Sequence, residues 1–488
     1  MEVLLVNPPD ISSKYKDVLG LTAPPLGLAY IGAVLEDNGV NVSILDAPAL
    51  DMDLEGFRRE IAHKHVDLLG VQTTTPTIRQ ALGVGKMTKE LCPECTVSMG
   101  GYHATFMPEQ LLRENDFVDV VVRNEGEYAT LELAEAIENE KPLRNIDGIA
   151  YRDGGRIVET PKRRPIEDLD ALPFPARHLL PMSEYMLFGR KQVLATMICS
   201  RGCPMGCSFC ASSAMHGRQV RFRSPENAVD EMEEVVDEYK VRMVGFMDDT
   251  FTLFPKWVSS FCKGIINRGI DVVWGCTARV DRFNKELLSH MWKAGCRTLL
   301  FGVESGNQKI LDNVQKGTKV AQAKSAFKTA REIGMHTIAS MTLGMPGENK
   351  TTIDETIGFA KRVNPDYALF SLATPYPGTK FYELANKLGL IKVKDWTHFT
   401  LLMPVLETVD LTLKELQDTQ KEAFKEFYLR PNYLLKQLSR DKLMFAAVVY
   451  KVFRGALKMR SAPILGTAVD PHSDEPEAHR SDNAGSRG

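Results

Sequence analysis

The sequence predicts an α/β chain in which a doubly wound parallel sheet is followed by a partial (β/α)6 barrel and a helical C-terminal segment. Three observations predict it. Over residues 1–140, short apolar strands alternate with amphipathic helical stretches, the pattern of a parallel sheet covered on both faces. Over 190–390 the alternation resumes for six strand–helix units, too few to close an eightfold barrel. Residues 391–460 read as a helical C-terminal domain.

The elements follow in order. The first domain offers the strands VLLVNPP, VSILDA, DLLGVQTTT, TVSMGG and FVDVVVRNE. Helices between them begin at LGLAYIGAVLEDNG and close with GEYATLELAEAIEN. Right-handed crossovers place the strand C-termini on one edge, where ligands bind in such sheets. Residues 141–189 are expected to form a hairpin about Asp153-Gly154-Gly155 and then a Pro-containing linker. The barrel strands are VLATMICS, MVGFMDD, VVWGCTARVD, TLLFGVES, HTIASMTLGMPG and YALFSLATPYPG. The segment KLMFAAVVYKVFRGALKMR, within 442–460, is apolar on one face and basic on the other, which makes it a candidate for peripheral membrane contact or for packing on the barrel. Residues 461–488 are too polar to offset their ordering entropy, and disorder is expected.

Bulk properties narrow the function classes. A net charge of −3 gives no case for nucleic-acid binding. No apolar run reaches the roughly 18–20 residues of a membrane span. The start, MEVLLVNPPD, lacks a basic leader, so a cytoplasmic location is expected. Nine cysteines in such a chain are expected to be thiols rather than disulfides.

Three of the nine stand together in Cys203-Pro-Met-Gly-Cys207-Ser-Phe-Cys210, just after the first barrel strand. Thiolates at this spacing can converge on one iron–sulfur cube and leave its fourth iron open. A zinc site would want a fourth ligand, for which Cys199 and His216 are near; Cys199 is expected inside the strand. Cys92 and Cys95 form C-P-E-C at a helix end, away from the strand C-termini, and read as surface or packed thiols. Cys262, Cys276 and Cys296 read as core thiols.

Polar and glycine-rich turns end the other barrel strands: Thr277-Ala-Arg279, Gly302-Val-Glu304-Ser305-Gly306, Gly344-Met-Pro346-Gly347-Glu348 and Pro375-Tyr376-Pro377-Gly378. Each alone is a turn; together they lie where barrel geometry puts a site. Asp248 and Asp249 end the second strand, as a substrate or proton site or as caps of the next turn, and Asp249 is taken as the catalytic candidate. In the first domain the strands end in Asn7-Pro8-Pro9, Thr73-Thr74-Thr75, Gly100-Gly101-Tyr102-His103 and Asn124-Glu125-Gly126-Glu127. They outline a nucleotide-sized cleft. The absence of G-x-G-x-x-G disfavours a dinucleotide.

With Phe209 in the aromatic position, the cysteine motif resembles the C-x3-C-x-aromatic-C signature of the radical S-adenosylmethionine (SAM) superfamily, and the resemblance extends over about 190–390. It implies a [4Fe–4S] cluster on Cys203, Cys207 and Cys210, with SAM on the open iron and cleaved to a 5′-deoxyadenosyl radical. Contacts to SAM are implied at Thr277, Arg279, Glu304, Ser305, Gly344, Pro346 and Pro375. Residues 1–140 resemble the flavodoxin-like cobalamin-binding domain that precedes the radical SAM domain in one large subfamily. The marks are Pro24-Pro25-Leu26-Gly27, Leu45-Asp46-Ala47, the GGYHAT loop and the NEGE turn. That likeness implies cobalamin contacts at Asn7, Pro8, Pro9, Pro25, Gly27, Thr74, Gly100, Gly101, His103, Glu125 and Gly126. The D-x-H-x-x-G motif that supplies histidine to cobalt in other cobalamin proteins is missing. His103, in a different loop, is expected to cap a helix or touch the cofactor tail.

The resemblance implies C-methylation of an unactivated carbon, through the 5′-deoxyadenosyl radical and methylcobalamin. Its alternatives are formation of a C–C bond or ring on a lipid or tetrapyrrole, and a non-catalytic cobalamin sensor. The implied partners are a small-molecule, lipid or peptide substrate and an external reductant of flavodoxin or ferredoxin type.

Overall fold

The computed structural model describes residues 1–9, 22–187, 190–191 and 194–440. The expected amphipathic segment at 442–460 and the tail at 461–488 lie outside the described residues.

The first sheet contains β1 (Glu2–Asn7), β2 (Asn41–Asp46), β3 (Leu68–Gln72), β4 (Thr96–Gly100), β5 (Val120–Val122), β6 (Ile149–Asp153) and β7 (Arg156–Glu159). Its spatial order is β2-β1-β3-β4-β5-β6-β7. The first five strands are parallel, with Val3 opposite both Val42 and Leu68. In β1, Val3, Leu4, Leu5 and Val6 are all buried, because helices cover both faces of a parallel sheet. This is a flavodoxin-like order, and its ligand edge is the crevice where the winding reverses, between β1 and β3.

The hairpin about Gly154-Gly155 forms as expected but belongs to this sheet. Its first strand pairs antiparallel with β5, Val121 opposite Ala150. The sheet therefore has seven strands where the alternation suggested five, and the linker proper begins after Thr160. A second difference is a short helix, Tyr102–Phe106, inside the GGYHAT segment. Gly101 makes the turn into it at φ +101, and a Cβ there would lie 2.6 Å from the Thr73 carbonyl oxygen. The loops after β3 and β4 are thus in backbone contact, with Thr73 Oγ1 donating to the Gly100 carbonyl at 2.8 Å.

The second sheet holds β8 (Leu194–Met197), β9 (Met243–Phe246), β10 (Val273–Ala278), β11 (Cys296–Glu304), β12 (His336–Leu343) and β13 (Tyr367–Leu372), all parallel and in sequence order. Among the described residues β8 and β13 are not paired, so the barrel is partial. Its helices start where the sequence supplies caps: Ser224 before Pro225, Asn284 before Lys285 and Asn349 before Lys350 each accept a backbone N–H of the first turn. Near β8 and β9 the core is aromatic. Phe246, Phe251, Phe261 and Trp274 meet at centroid separations of 4.5–6.0 Å, mostly edge to face. Such pairs add about 0.5–1.5 kcal/mol each beyond their buried area.

The open edge at β13 is covered by the helix Leu413–Tyr428. Gln420 Nε2 donates to the Phe370 carbonyl at 2.8 Å. The Tyr428 hydroxyl accepts from Ala368 N–H and donates to the Ala368 carbonyl. Side chains thus satisfy part of the ladder that a missing neighbour strand would have met. Before that helix, residues 395–399 return to the first domain, where the Trp396 ring meets the His103 ring at 5.2 Å.

Gly101→Ala is expected to cost about 1–3 kcal/mol from the positive φ alone, with the clash on Thr73 added. Thermal melts should show a lower Tm, and cobalamin retained after gel filtration should fall more than iron content does.

Candidate active site

The cysteine triplet lies on a loop closed at its base by a two-residue antiparallel ladder, Ser200 opposite Phe222 and Arg201 opposite Arg221. Gly202 enters the loop at φ +98, with the Gln219 carbonyl oxygen 2.3 Å from where a Cβ would stand. The loop is pinned to the barrel at Ser208, whose N–H donates to the Val314 carbonyl and whose carbonyl accepts from Phe381 N–H. Phe209 explains the aromatic position of the motif: its ring packs on an apolar cluster that includes Ile310, Val314, Met345 and Phe381.

Cys203 and Cys207 are half-buried, Cys210 is exposed, and all three are free thiols. Among the described residues no three His, Cys, Asp or Glu side chains are gathered closely enough to hold one metal ion. Three thiols on one loop suit a cube, whose irons take separate ligands. Cys199 is fully buried, and its N–H is held by Asp248 at 3.2 Å. Its place is in the core, as expected, and not as a fourth ligand.

The other barrel strand ends surround this loop. Glu304 has φ +66, a strained conformation for a non-glycine residue. Its carboxylate accepts from Lys316 Nζ at 2.7 Å and from Thr342 Oγ1 at 3.1 Å. Lys316 is buried and its ammonium stands 5.9 Å from the Phe209 ring centroid, which brings a cation to the cluster loop. Thr277 Oγ1 donates to the Asp248 carbonyl at 2.6 Å. Gly344 N–H and Met345 N–H both donate to Glu348 Oε2. Burial raises the Glu348 pKa to about 7 against those two donors. Pro346 accepts from Asn313 through its carbonyl, and Pro375 is buried beside Gly378, which lies against the Phe106 ring of the first domain.

Asp248 and Asp249 separate into two roles. Asp248 is buried and accepts from Ser200 Oγ at 2.5 Å and from Cys199 N–H. Burial pushes its pKa up to about 6, although those donors oppose the rise. It is a brace for the base of the cluster loop. Asp249 is exposed and accepts from Ser212 Oγ. The Tyr102 hydroxyl, reaching over from the first domain, faces Ser212, Asp249 and Cys210.

In the first domain, Asn7 Nδ2 donates to Asp46 Oδ1 at 2.8 Å, and the Tyr185 hydroxyl donates to Asp46 Oδ2 at 2.7 Å. Pro8 and Pro9 are buried beside them, Pro25 precedes the helix Leu26–Asp37, and Gly27 has open space around its Cα. Thr74 and Thr77 share a hydroxyl contact at 2.8 Å, and Gly100 and Gly101 form the neighbouring turn. These residues line the sheet edge that the order of strands makes the ligand crevice. His103 is buried between Thr75 Oγ1, 3.3 Å from Nδ1, and Trp396. Burial lowers its pKa to about 4. His103 is the second residue of the short helix Tyr102–Phe106, whose N-cap is Gly101 with no side-chain cap, and its ring packs on Thr75 and Trp396.

At three expected cofactor contacts the side chains are paired within the protein. The Glu125 carboxylate turns inward: Oε1 and Oε2 accept from Arg221 at 2.6 and 2.9 Å, and Oε2 also accepts from Ile166 N–H. Arg279 gives its fork to Asp281, at 2.9 and 3.2 Å, and to the Lys316 carbonyl. Ser305 Oγ is spent on Thr356 Oγ1 and Asn307 N–H. Each is buried with its polar atoms already paired, which leaves a ligand little to gain from them. Gly126, beside Glu125, packs on Ile31. Sequence reasoning missed Lys316, and it missed the Arg201–Glu127 pair at 2.6 Å. The available signal was the placement of Arg201 and Arg221 in short strands flanking the cysteines, where exposed charge has little room.

Burial alone would raise the Glu125 pKa; the His216 imidazole 3.6 Å away, the Arg221 fork and the Arg201 charge outweigh it and bring the pKa down to about 2. A depressed carboxyl contributes stability that is full above the unfolded value near 4.5 and is lost as pH falls towards 2. Glu125→Gln is expected to cost about 3–5 kcal/mol at neutral pH, because Arg221 stays buried without its charge partner. Urea midpoints should show this gap narrowing between pH 4.5 and pH 2. His103→Ala, by contrast, should leave the visible spectrum of bound cobalamin unchanged.

Comparison with known proteins agrees with this arrangement. Residues 197–360 match the model of the radical SAM superfamily, and residues 13–134 match that of the B12 binding domain. The chain is 35% identical over 459 residues to an uncharacterized methyltransferase of Pyrococcus horikoshii, spanning 94% of this chain and 98% of that protein. It is 32% identical over 450 residues to the anaerobic magnesium-protoporphyrin IX monomethyl ester cyclase of Rubrivivax gelatinosus, spanning 91% and 80% of the two chains. The fold is similar to the radical SAM methyltransferase TsrM of Kitasatospora setae, solved with cobalamin and a [4Fe–4S] cluster, at TM-score 0.71 and 17% identity over 94% of this chain and 99% of that one. The chain belongs to the cobalamin-dependent radical SAM enzymes, which join a B12-binding domain to a radical SAM domain, and its cofactors are a [4Fe–4S] cluster, SAM and cobalamin.

Proposed function

We propose that this enzyme methylates an unactivated carbon of a small-molecule substrate. The observation that carries the reading is the full-length match to a methyltransferase, joined to a cysteine loop that faces the ligand edge of the first domain across Tyr102 and Asp249. Cys203, Cys207 and Cys210 would hold the cluster. Glu304, held by Lys316 and Thr342, and the turns at Thr277, Gly344, Pro346 and Pro375 would line the SAM site. The turns at Asn7–Pro9, Pro25–Gly27, Thr74 and Gly100–Gly101 would line the corrin. When bound, the cluster with SAM supplies a 5′-deoxyadenosyl radical and cobalamin supplies the methyl group.

The chain's own part is to orient and enclose. Lys316, buried by the cluster loop, pairs with the Glu304 carboxylate, an attraction stronger in that dry setting than in water, and so fixes Glu304 at the strand end. Asp249, with Ser212 as its donor, presents an anionic acceptor at the mouth between the two domains, suited to a hydroxyl or amine of the substrate. Tyr102 and the 395–399 segment narrow the cleft and limit water. An external reductant of flavodoxin or ferredoxin type would supply the electron. Nine thiols without a disulfide suit a reducing cytoplasm. No helix among the described residues is long and apolar enough to cross a membrane.

The cyclase relative supports a second reading, ring or C–C bond formation on a tetrapyrrole or lipid. Product analysis separates the two. With methyl-labelled SAM and panels of lipid, tetrapyrrole and peptide candidates, a methylase makes S-adenosylhomocysteine and 5′-deoxyadenosine in matching amounts and labels its product. Excess 5′-deoxyadenosine without label in any product would favour the cyclase reading. Replacing Cys203, Cys207 and Cys210 by Ala should abolish cluster absorbance and 5′-deoxyadenosine formation. Cys199→Ala should retain both, and equal damage from it would refute the three-cysteine assignment.

A further inference from the structure

The cluster loop is held from two sides, and only one of them is the barrel. On the barrel side Ser208 is pinned by Val314 and Phe381, and Asp248 holds Cys199 and Ser200. From the first domain, a four-residue turn reaches the loop at three places. Asn124 Nδ2 donates to the Met215 carbonyl at 2.7 Å. Glu125 takes both forks of Arg221 and stands 3.6 Å from the His216 ring. Glu127 accepts from Arg201 at 2.6 Å, and the Arg201 guanidinium also lies 5.4 Å from the Tyr30 ring centroid. Arg201 and Arg221 face each other across the ladder that closes the loop. All four charged residues are at most 7% exposed.

Buried ion pairs are a poor source of stability, since desolvation offsets most of the attraction, but their geometry is demanding. A turn that only joined two domains had no need of three separate grips on one loop. We infer that the Asn124–Glu127 turn is a positioning element for the iron–sulfur cluster. It fixes the separation and orientation of the cluster relative to the corrin, and touches neither cofactor. The turn follows β5 and leads into the helix Glu127–Glu138, so the sheet edge that carries the corrin and the loop that carries the cluster are referred to one rigid body. Precise separation matters here because a substrate radical must meet the methyl donor within contact distance, and small misplacements cost large factors in rate.

The test is spectroscopic and needs no substrate. Full-length holoenzyme is prepared with cob(II)alamin and with the cluster reduced by dithionite, and the magnetic interaction between the two paramagnets is read by EPR. Glu127→Gln keeps the shape of the side chain and removes its charge. It is expected to retain iron, cobalamin and native circular dichroism, and to shift the splitting or relaxation of the cob(II)alamin signal. Asn124→Ala removes one hydrogen bond and no charge, should give a smaller shift, and carries the test by itself if Glu127→Gln does not fold. Glu132→Gln breaks a half-exposed pair with Arg163 further along the same helix and should give the wild-type signal. Wild-type interaction in folded Glu127→Gln, or in Asn124→Ala where that variant stands alone, would overturn the inference. So would an equal shift in Glu132→Gln, which would mean general loosening of the helix. The inference rests on the cluster being held by Cys203, Cys207 and Cys210. A cluster that survives their replacement would refute that assignment, whereas an unshifted signal in the turn variants refutes the positioning role alone.

Discussion

Arg201 and Arg221 leave water at the base of the cysteine loop and find their counter-charges on another domain, at Glu127 and Glu125. Two guanidinium groups in a protein interior are tolerable only when hydrogen bonds and opposite charge meet them with good geometry. Here they are met: Arg221 also donates to the Ile166 and His216 carbonyls, and Arg201 lies by the Tyr30 ring. If the first domain were displaced, these charges would be stranded in a dry site. The placement of the cysteines, the closure of the cleft and the opposition of the two ligand edges all depend on that constraint.

A second buried network continues the first into the barrel. Glu231, fully buried in the helix Pro225–Asp237, accepts from Arg177 of the linker and from Arg223, the second residue after Arg221. Arg223 in turn reaches the Tyr30 hydroxyl at 3.4 Å. Burial opposes ionisation of Glu231, but the two guanidinium groups outweigh it and hold its pKa below the usual carboxylate range. Linker, first domain and barrel therefore meet around Tyr30. The linker makes a further tie through the Tyr185 hydroxyl on Asp46, at the end of β2. Asp46 stays with its donors despite a pKa raised by burial. The rigid frame is polar inside and apolar around, an arrangement that specifies one geometry more than it adds stability.

Chemistry gathers on the side where the strands of both sheets end. A parallel strand delivers its last residue to the same edge as its neighbours, so loops from distant parts of the chain converge there. The opposed carboxylates at Asp248 and Asp249 show how one edge divides labour. The buried one braces the loop stem through Ser200 and Cys199, and the exposed one looks across to Tyr102. Lys316 reaches Glu304 from the segment after the helix Gln308–Asn313, at a site that no strand-end pattern would have picked out.

The sequence by itself determined the alternation of strands and helices, the two sheets and the cysteine loop. Those depend on local periodicity and on residue types that few other structures tolerate, such as three cysteines within eight positions or a run like Val3–Val6 buried on both faces. It also placed Cys199 in the core. Tertiary structure alone decided what the polar strand ends do. Glu125 and Arg279 are ligand contacts only by the family resemblance; whether a carboxylate meets a cofactor or an arginine depends on a partner 96 positions away, as with Glu125 and Arg221. The hairpin at 149–159 joined the first sheet because β5 had a free edge to pair with, and sequence carries no record of a free edge. Periodicity is a property of neighbours in the chain, and the pairing of buried charges is a property of neighbours in space.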